Sequence, residues 1–240
     1  PMDNAAYVSL GRQAGLRAEM RLVANNLANM STDGYRRETT LFSEVVAALP
    51  VEGGSVAMST ARVRRTDFAA GDLAATGGPL DVAIDGDGFF QVETPDGPRL
   101  TRDGAFLRGA DGTLATAAGH AVLDVGGAPI PLPPDAAAVT IAPDGTVAAE
   151  GRPLGRIGVF LPETPADLRR ESGRLFRAEA APAAVDRPLL QGRLEGSNVE
   201  PVAEIARMIE VQRAYELGQK LLDREDERTR NAVRVLGRSS

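Results

Sequence analysis

Leu16, Met20, Val23, Leu27 and Met30 recur at steps of 4, 3, 4 and 3, and Ile205, Met208, Gln212, Tyr215, Gln219 and Leu222 carry the same rhythm near the other end of the chain. Residues at that spacing fall on one stripe of an α-helix, the a/d seam of a coiled coil. A chain with a seam at each end has to bury both, against each other or against other chains. The first seam predicts a helix over 4–30, closed by Asp33-Gly34, because glycine accepts the left-handed conformation that ends helices. The second predicts a helix from near residue 199. There Asn198, or a Ser197/Glu200 capping box, would satisfy the first N–H groups, and Pro201 suits a first turn.

Polar residues qualify both seams. Gln212 and Gln219 are amide knobs, which either fix register or mark a partly exposed face. Val202 and Ile209 add an apolar strip beside the C-terminal seam, so that helix offers surface to more than one neighbour. Asn25, Asn26 and Asn29 crowd the end of the first helix, where a short amide that competes for backbone groups is a poor interior residue. They are placed beside the seam on its outer side, where neighbouring helices would reward them.

Between the helices the pattern changes to alternating apolar residues punctuated by Asp-Gly at 85–86, 87–88, 96–97, 103–104, 111–112 and 144–145. Such pairs supply the positive φ that tight hairpins need, and runs such as FFQVET fit short strands between them. The fold class expected is α+β. N- and C-terminal helices (1–34 and 199–240) pair as a coiled-coil-like domain around an inserted antiparallel β domain (79–185). Extended connectors cover 35–78, much of it Gly-rich and weakly patterned, and 186–198.

Composition narrows the chemistry. With 43% hydrophobic residues over 240 positions there is enough apolar surface for a core. A net charge of -6 supplies no electrostatic footprint for nucleic acid, and no basic amphipathic run points to a membrane surface. The absence of cysteine removes disulfides, thiolate metal ligands and a cysteine nucleophile. Asp3 stands where a secretory signal wants positive charge, so no cleaved signal is expected. Asp81, Asp85 and Asp87 cluster in LDVAIDGDGFF, but an EF-hand register beginning at Asp85 puts Phe89 where an oxygen ligand is required. A calcium loop is therefore the lesser reading and a strand with a tight turn the better one. His120 is the only histidine and has no recognisable serine partner, so neither a catalytic site nor a cofactor is expected.

At this point a resemblance enters. MDNAAYVSLGRQ with VANNLANMSTDGYRRE is similar to the amino-terminal signature of the flagellar basal-body rod and hook proteins, roughly A-N-N-(I/L)-A-N-x-x-T-x-G-(F/Y)-(K/R). It is matched by Ala24 to Asn29, Thr32, Gly34, Tyr35 and Arg36. LDVAIDGDGFFQV, LTRDGAF and DGTLATAAGHAVLD resemble that family's central β signature, and LEGSNVEPVAEIARMIEVQRAYELGQKLL its carboxy-terminal helix. The opening M-D-N-x-x-Y-V-x-L-x-R-Q resembles the proximal-rod branch. The resemblance implies a non-enzymatic axial subunit, exported through the flagellar type III apparatus without cleavage and assembled with itself and other rod proteins in the periplasmic space. The distal rod and the hook are the near alternatives, and a calcium-dependent or glycan-processing β module flanked by oligomerising helices is the remote one. The subunit interfaces it implies would be carried by Leu16, Met20, Val23, Asn25, Asn26, Leu27 and Asn29 on one helix. On the other they would be carried by Ile205, Met208, Ile209, Gln212, Tyr215 and Leu222.

Overall fold

The computed structural model describes residues 2–48, 56–134, 136 and 138–236. Two helices lie at the ends, α1 (Met2–Ala28) and α2 (Pro201–Leu236). Between them run β1 (Glu38–Ala48), β2 (Val56–Thr66), β3 (Leu73–Ala75), β4 (Val82–Ile84), β5 (Phe89–Thr94), β6 (Gly97–Thr101), β7 (Phe106–Arg108), β8 (Leu114–Thr116), β9 (Val139–Ile141) and β10 (Thr146–Ala149). They are followed by β11 (Arg152–Arg156), β12 (Val159–Leu161), β13 (Leu168–Ser172), β14 (Leu175–Ala178), β15 (Ala183–Ala184), β16 (Leu189–Gln191) and β17 (Arg193–Glu195). The expected terminal helices and antiparallel centre are both present.

The chain forms two compact units. One combines residues 1–28, 38–65 and 200–240; the other combines 29–37 with 66–199.

In the first unit α1 and α2 pack together, and β1 pairs with β2. The segment read as an extended connector therefore contains two long strands, although its middle, 49–55, lies outside the described residues. Small residues concealed the alternation in V-A-M-S-T-A-R-V, Val56 to Val63, which is nonetheless compatible with a strand. The first helix ends at Ala28, two residues earlier than its periodicity implies, and a turn follows with Thr32 N–H donating to Asn29 O at 3.1 Å.

In the second unit the largest sheet has the order β13-β14-β6-β5-β12-β15. Phe89 and Phe90 show how it is layered. Successive side chains of a strand point to opposite faces, so two adjacent buried phenylalanines require packing on both. Phe90 joins Val92, Phe106, Leu114 and Val122 in one core, while Phe89 joins Leu100, Phe160, Leu168 and Phe176 in another. Phe68, Phe89 and Phe176 meet edge to face at centroid separations of 5.5 to 5.9 Å. The return segment is also stranded, β16 pairing with β4 and β17 with β3. Three-residue strands with a single alternation give little periodicity to read in 186–198.

The Asp-Gly pairs divide into two kinds. Gly86, Gly88, Gly97, Gly112 and Gly145 all take positive φ. Gly104 does not, and its reason is space, since a Cβ there would lie 1.7 Å from the carbonyl oxygen of Val82.

Candidate functional site

Several polar side chains join the two helices of the helical unit. Arg17 donates to the Tyr215 hydroxyl from Nε at 2.8 Å and sets its guanidinium carbon 5.3 Å from the ring centroid. Gln219 Nε2 donates to the same hydroxyl at 2.9 Å, and Gln13 Nε2 donates to the Tyr215 carbonyl at 3.2 Å. Arg207 Nε donates to Glu19 Oε1 at 2.7 Å, and Glu19 is buried. The Arg207 guanidinium sits above its ordinary pKa: partial burial pushes it down, but the bonds to Glu19 and Glu210 outweigh that.

The inward stripe of α2 is Glu204, Met208, Val211, Tyr215, Gly218 and Leu222. Met208, Tyr215 and Leu222 are half-buried on it, while Ile205, Ile209 and Gln212 are exposed. On α1, Val23 is buried and Leu16, Met20 and Leu27 are half-buried. The step from Ile205 to Glu204 was not readable from hydropathy, because a carboxylate is inward only when a specific donor meets it. That donor is Asn26.

The three asparagines have different fates. Asn25 is exposed and Asn29 half-buried, with Asn29 Oδ1 accepting from Thr32 Oγ1 at 3.2 Å. Asn26 is 1% exposed: its Oδ1 accepts from Glu38 N–H at 3.0 Å, and its Nδ2 donates to Glu38 O at 2.8 Å and to Glu204 Oε2 at 3.3 Å. Its amide thus lies inward rather than on the outer side, pairing like a strand residue with the backbone of β1. A side-chain amide is a copy of a peptide group, which is why only Asn or Gln can do this.

A second cluster occupies the β unit, around the segment Asn29–Arg37 that follows α1 in sequence. Gly34 N–H donates to Glu195 O at 2.7 Å, and Arg37 N–H donates to Asn198 Oδ1 at 2.6 Å. Asn198 Nδ2 in turn donates to Asp67 O at 3.0 Å and Ala69 O at 2.9 Å. Asn198, read as a helix cap, is instead a stitch between three segments. Tyr35 is buried with the Arg170 guanidinium 4.8 Å from its ring centroid, and Arg170 Nη2 donates to the Arg36 carbonyl. Arg174 Nη1 donates to Asp33 O at 3.1 Å.

At its centre Glu195, with a 1% exposed side chain, accepts from Arg36 Nη2 at 2.5 Å, Arg102 Nε at 2.7 Å and Gly71 N–H at 2.9 Å. Both guanidiniums are buried, and desolvation holds Arg102 below its ordinary pKa despite the attraction of Glu195. Arg102 also answers the question of the Asp-Gly-Asp-Gly loop. Its Nη1 donates to Gly88 O at 2.8 Å and its Nη2 to Gly86 O at 2.9 Å. The loop's carbonyls are thus turned towards a cation that belongs to the chain, and Asp81 Oδ2 accepts from Thr76 Oγ1 at 2.5 Å. Asp103, the carboxylate nearest in sequence, is held by Arg174 Nη2 at 2.8 Å rather than by a histidine.

Three stretches of the chain match known families. Residues 7–36 match the family described as "Flagella basal body rod protein", 83–149 "Flagellar hook protein FlgE/F/G D1 domain", and 190–235 "Flagellar basal body rod FlgEFG protein C-terminal". The chain is 41% identical over 245 residues to the flagellar basal-body rod protein FlgF of Caulobacter vibrioides, covering 99% of each. It is 36% identical over 259 residues to FlgF of Salmonella typhimurium, covering 99% of this chain and 100% of that one. It is 31% identical over 255 residues to the rod protein FlgG of Bacillus subtilis, covering 94% and 96%.

Proposed function

Starting from a chain that belongs to the FlgF family of flagellar basal-body rod proteins, and is a structural rod subunit, we propose that it polymerises through the faces its terminal helices leave uncovered. The observation that carries this is on α2. Val202, Ile205, Ile209, Leu217 and Leu221 are exposed along it, Val202 at 81%. A repeated apolar strip on a helix already packed on its other side is expensive to leave in water and marks a surface for another chain. Burying each such side chain in an interface is worth about 1.5 to 3 kcal/mol before the cost of ordering.

The proposed partners are further copies of the chain and other flagellar rod proteins, in a tube where the terminal segments 1–34 and 199–240 form the core and coiled-coil-like contacts set the register. Asn25, exposed on α1, and Asn29, in the turn after its end, would supply directional bonds across such contacts, whereas Asn26 serves the fold of the subunit. The central β region, 79–185, is linked to those segments through 35–78 and 186–198. Delivery by the flagellar type III export apparatus without a cleaved signal, to a periplasmic rod, and a role without catalysis complete the reading. No helix among the described residues is long and apolar enough to cross a membrane.

Ile205→Asp and Ile209→Asp test the proposal. Each is expected to leave the β unit folded and the protein exported, yet absent from isolated basal bodies, with loss of motility. A motile strain whose basal bodies contain either variant would overturn it.

A further inference from the structure

The chain passes between its two units at four places, 28–29, 37–38, 65–66 and 199–200. Within each unit one asparagine side chain gathers the ends of most of these passages. In the helical unit Asn26, just before the first, holds Glu38 N–H and O at 3.0 and 2.8 Å, at the second. It also donates to Glu204, in the first turn of α2 beyond the fourth. In the β unit Asn198, just before the fourth, accepts from Arg37 N–H at 2.6 Å, at the second. It donates to Asp67 O and Ala69 O at 3.0 and 2.9 Å, beyond the third.

The second and third passages are tied to each other as well. Thr39 Oγ1 donates to Arg65 O at 3.4 Å within the helical unit, and Asp67 N–H donates to Arg37 O at 2.8 Å within the β unit. Arg37 and Glu38 are consecutive, yet their N–H groups are held by amides of different units, with one φ and one ψ between them. Relative motion of two units is the default where a free linker joins them, and it needs residues that can absorb changes in φ and ψ. Passages clamped on both sides offer almost none.

We propose that Asn26 and Asn198 are latches of the joint, so that the β unit follows the helical unit instead of swinging on its passages. The latches act within the free subunit, separately from the helix faces proposed to carry assembly.

The chain has no cysteine, so spin labels can be introduced in pairs and their distance distributions read by pulsed electron resonance on the purified monomer. Glu93→Cys with Glu216→Cys spans the units, while Glu93→Cys with Arg152→Cys and Arg21→Cys with Glu216→Cys lie within one each, all at exposed positions. The spanning distribution of the native protein is expected to be about as narrow as the other two. Asn198→Ala removes all three side-chain bonds, and Asn198→Asp keeps the acceptor for Arg37 but turns an oxygen on two carbonyls. Each is expected to widen the spanning distribution by about twofold or more and leave the within-unit ones unchanged. A native spanning distribution already several times wider than the within-unit ones would overturn the proposal without any variant. So would an unchanged width in a folded Asn198 variant, or widening that appears equally within the β unit.

Discussion

Arg36 Nη2 lies 2.5 Å from Glu195 Oε1, a contact between residues 159 apart in sequence and both essentially inaccessible to solvent. Arg36 lies in the segment that follows α1, and Glu195 ends β17 shortly before α2 begins. A second guanidinium, Arg102, meets the same carboxylate, so a single acidic side chain is shared by two cations drawn from different parts of the β unit. The segments that enter and leave this unit are therefore fixed to one point of it by charge as well as by backbone hydrogen bonds.

Removing that point is expected to be severe. Glu195→Gln preserves shape and keeps one acceptor oxygen but leaves two buried guanidiniums without a counter-charge. Breaking a buried pair from one side costs about 3 to 5 kcal/mol, because the surviving charge stays desolvated. Urea unfolding of the monomer, followed in the β unit, measures this. A loss below about 1 kcal/mol would show that the two arginines find other compensation.

Gly34 has a different constraint. Its φ is +68°, and a Cβ would stand 2.5 Å from both the Arg102 carbonyl carbon and the Asp103 nitrogen. The left-handed conformation alone costs a non-glycine residue about 1 to 2 kcal/mol, and the obstacle is backbone, which cannot swing aside. Gly34→Ala is thus expected to destabilise the β unit by more than about 2 kcal/mol. Hydrogen exchange should localise the damage to 33–37 and 101–104; uniform protection would contradict the close approach.

The legible parts of this molecule are those whose causes are local. Asp-Gly turns, FFQVET and the heptad steps each depend on residues within a few positions, so the helices and the antiparallel centre could be read directly. Glu204, Glu195, Arg36 and Arg102 could not. A charged residue is buried only when its partner arrives, and here the partners come from 93 to 178 positions away. Hydropathy therefore assigned the inward place on α2 to Ile205, whereas Glu204 holds it through Asn26. The strands β3, β16 and β17 stayed hidden for a related reason, since three residues carry too little alternation to stand out from a connector.

Asn26 offers the sharpest discrimination between substitutions. Asn26→Ala removes a partner from both backbone groups of Glu38 and is expected to cost the helical unit about 2 kcal/mol. Asn26→Asp retains an acceptor for Glu38 N–H but turns a second oxygen towards Glu38 O and the Glu204 carboxylate. At neutral pH it should therefore be the more damaging of the two, and acidification should narrow the gap as the new carboxyl takes up a proton. Thermal melts of both variants at two pH values decide the matter: equal stability at neutral pH would mean the amide is not read by these oxygens.

Asp103 is expected to show itself in the pH dependence of stability. Burial pushes its carboxyl above the ordinary value; the ion pair with Arg174 and the bond from Ala105 N–H oppose this without reversing it. The unfolded chain releases this proton in the usual carboxylate range, and the folded chain releases it only at higher pH. Between those two points the folded state holds more protons, so the free energy of unfolding falls as pH rises through the interval and levels off above the folded pKa. Asp103→Asn keeps the Oδ1 acceptor for Ala105 and leaves Arg174, which is partly solvated, to water. The stability of the native protein minus that of Asp103→Asn, measured in urea between about pH 3 and 6, should therefore decline with pH, the other carboxylates cancelling in the difference. A difference that rises over this range would mean that Arg174 outweighs desolvation and that the buried carboxylate is a net source of stability.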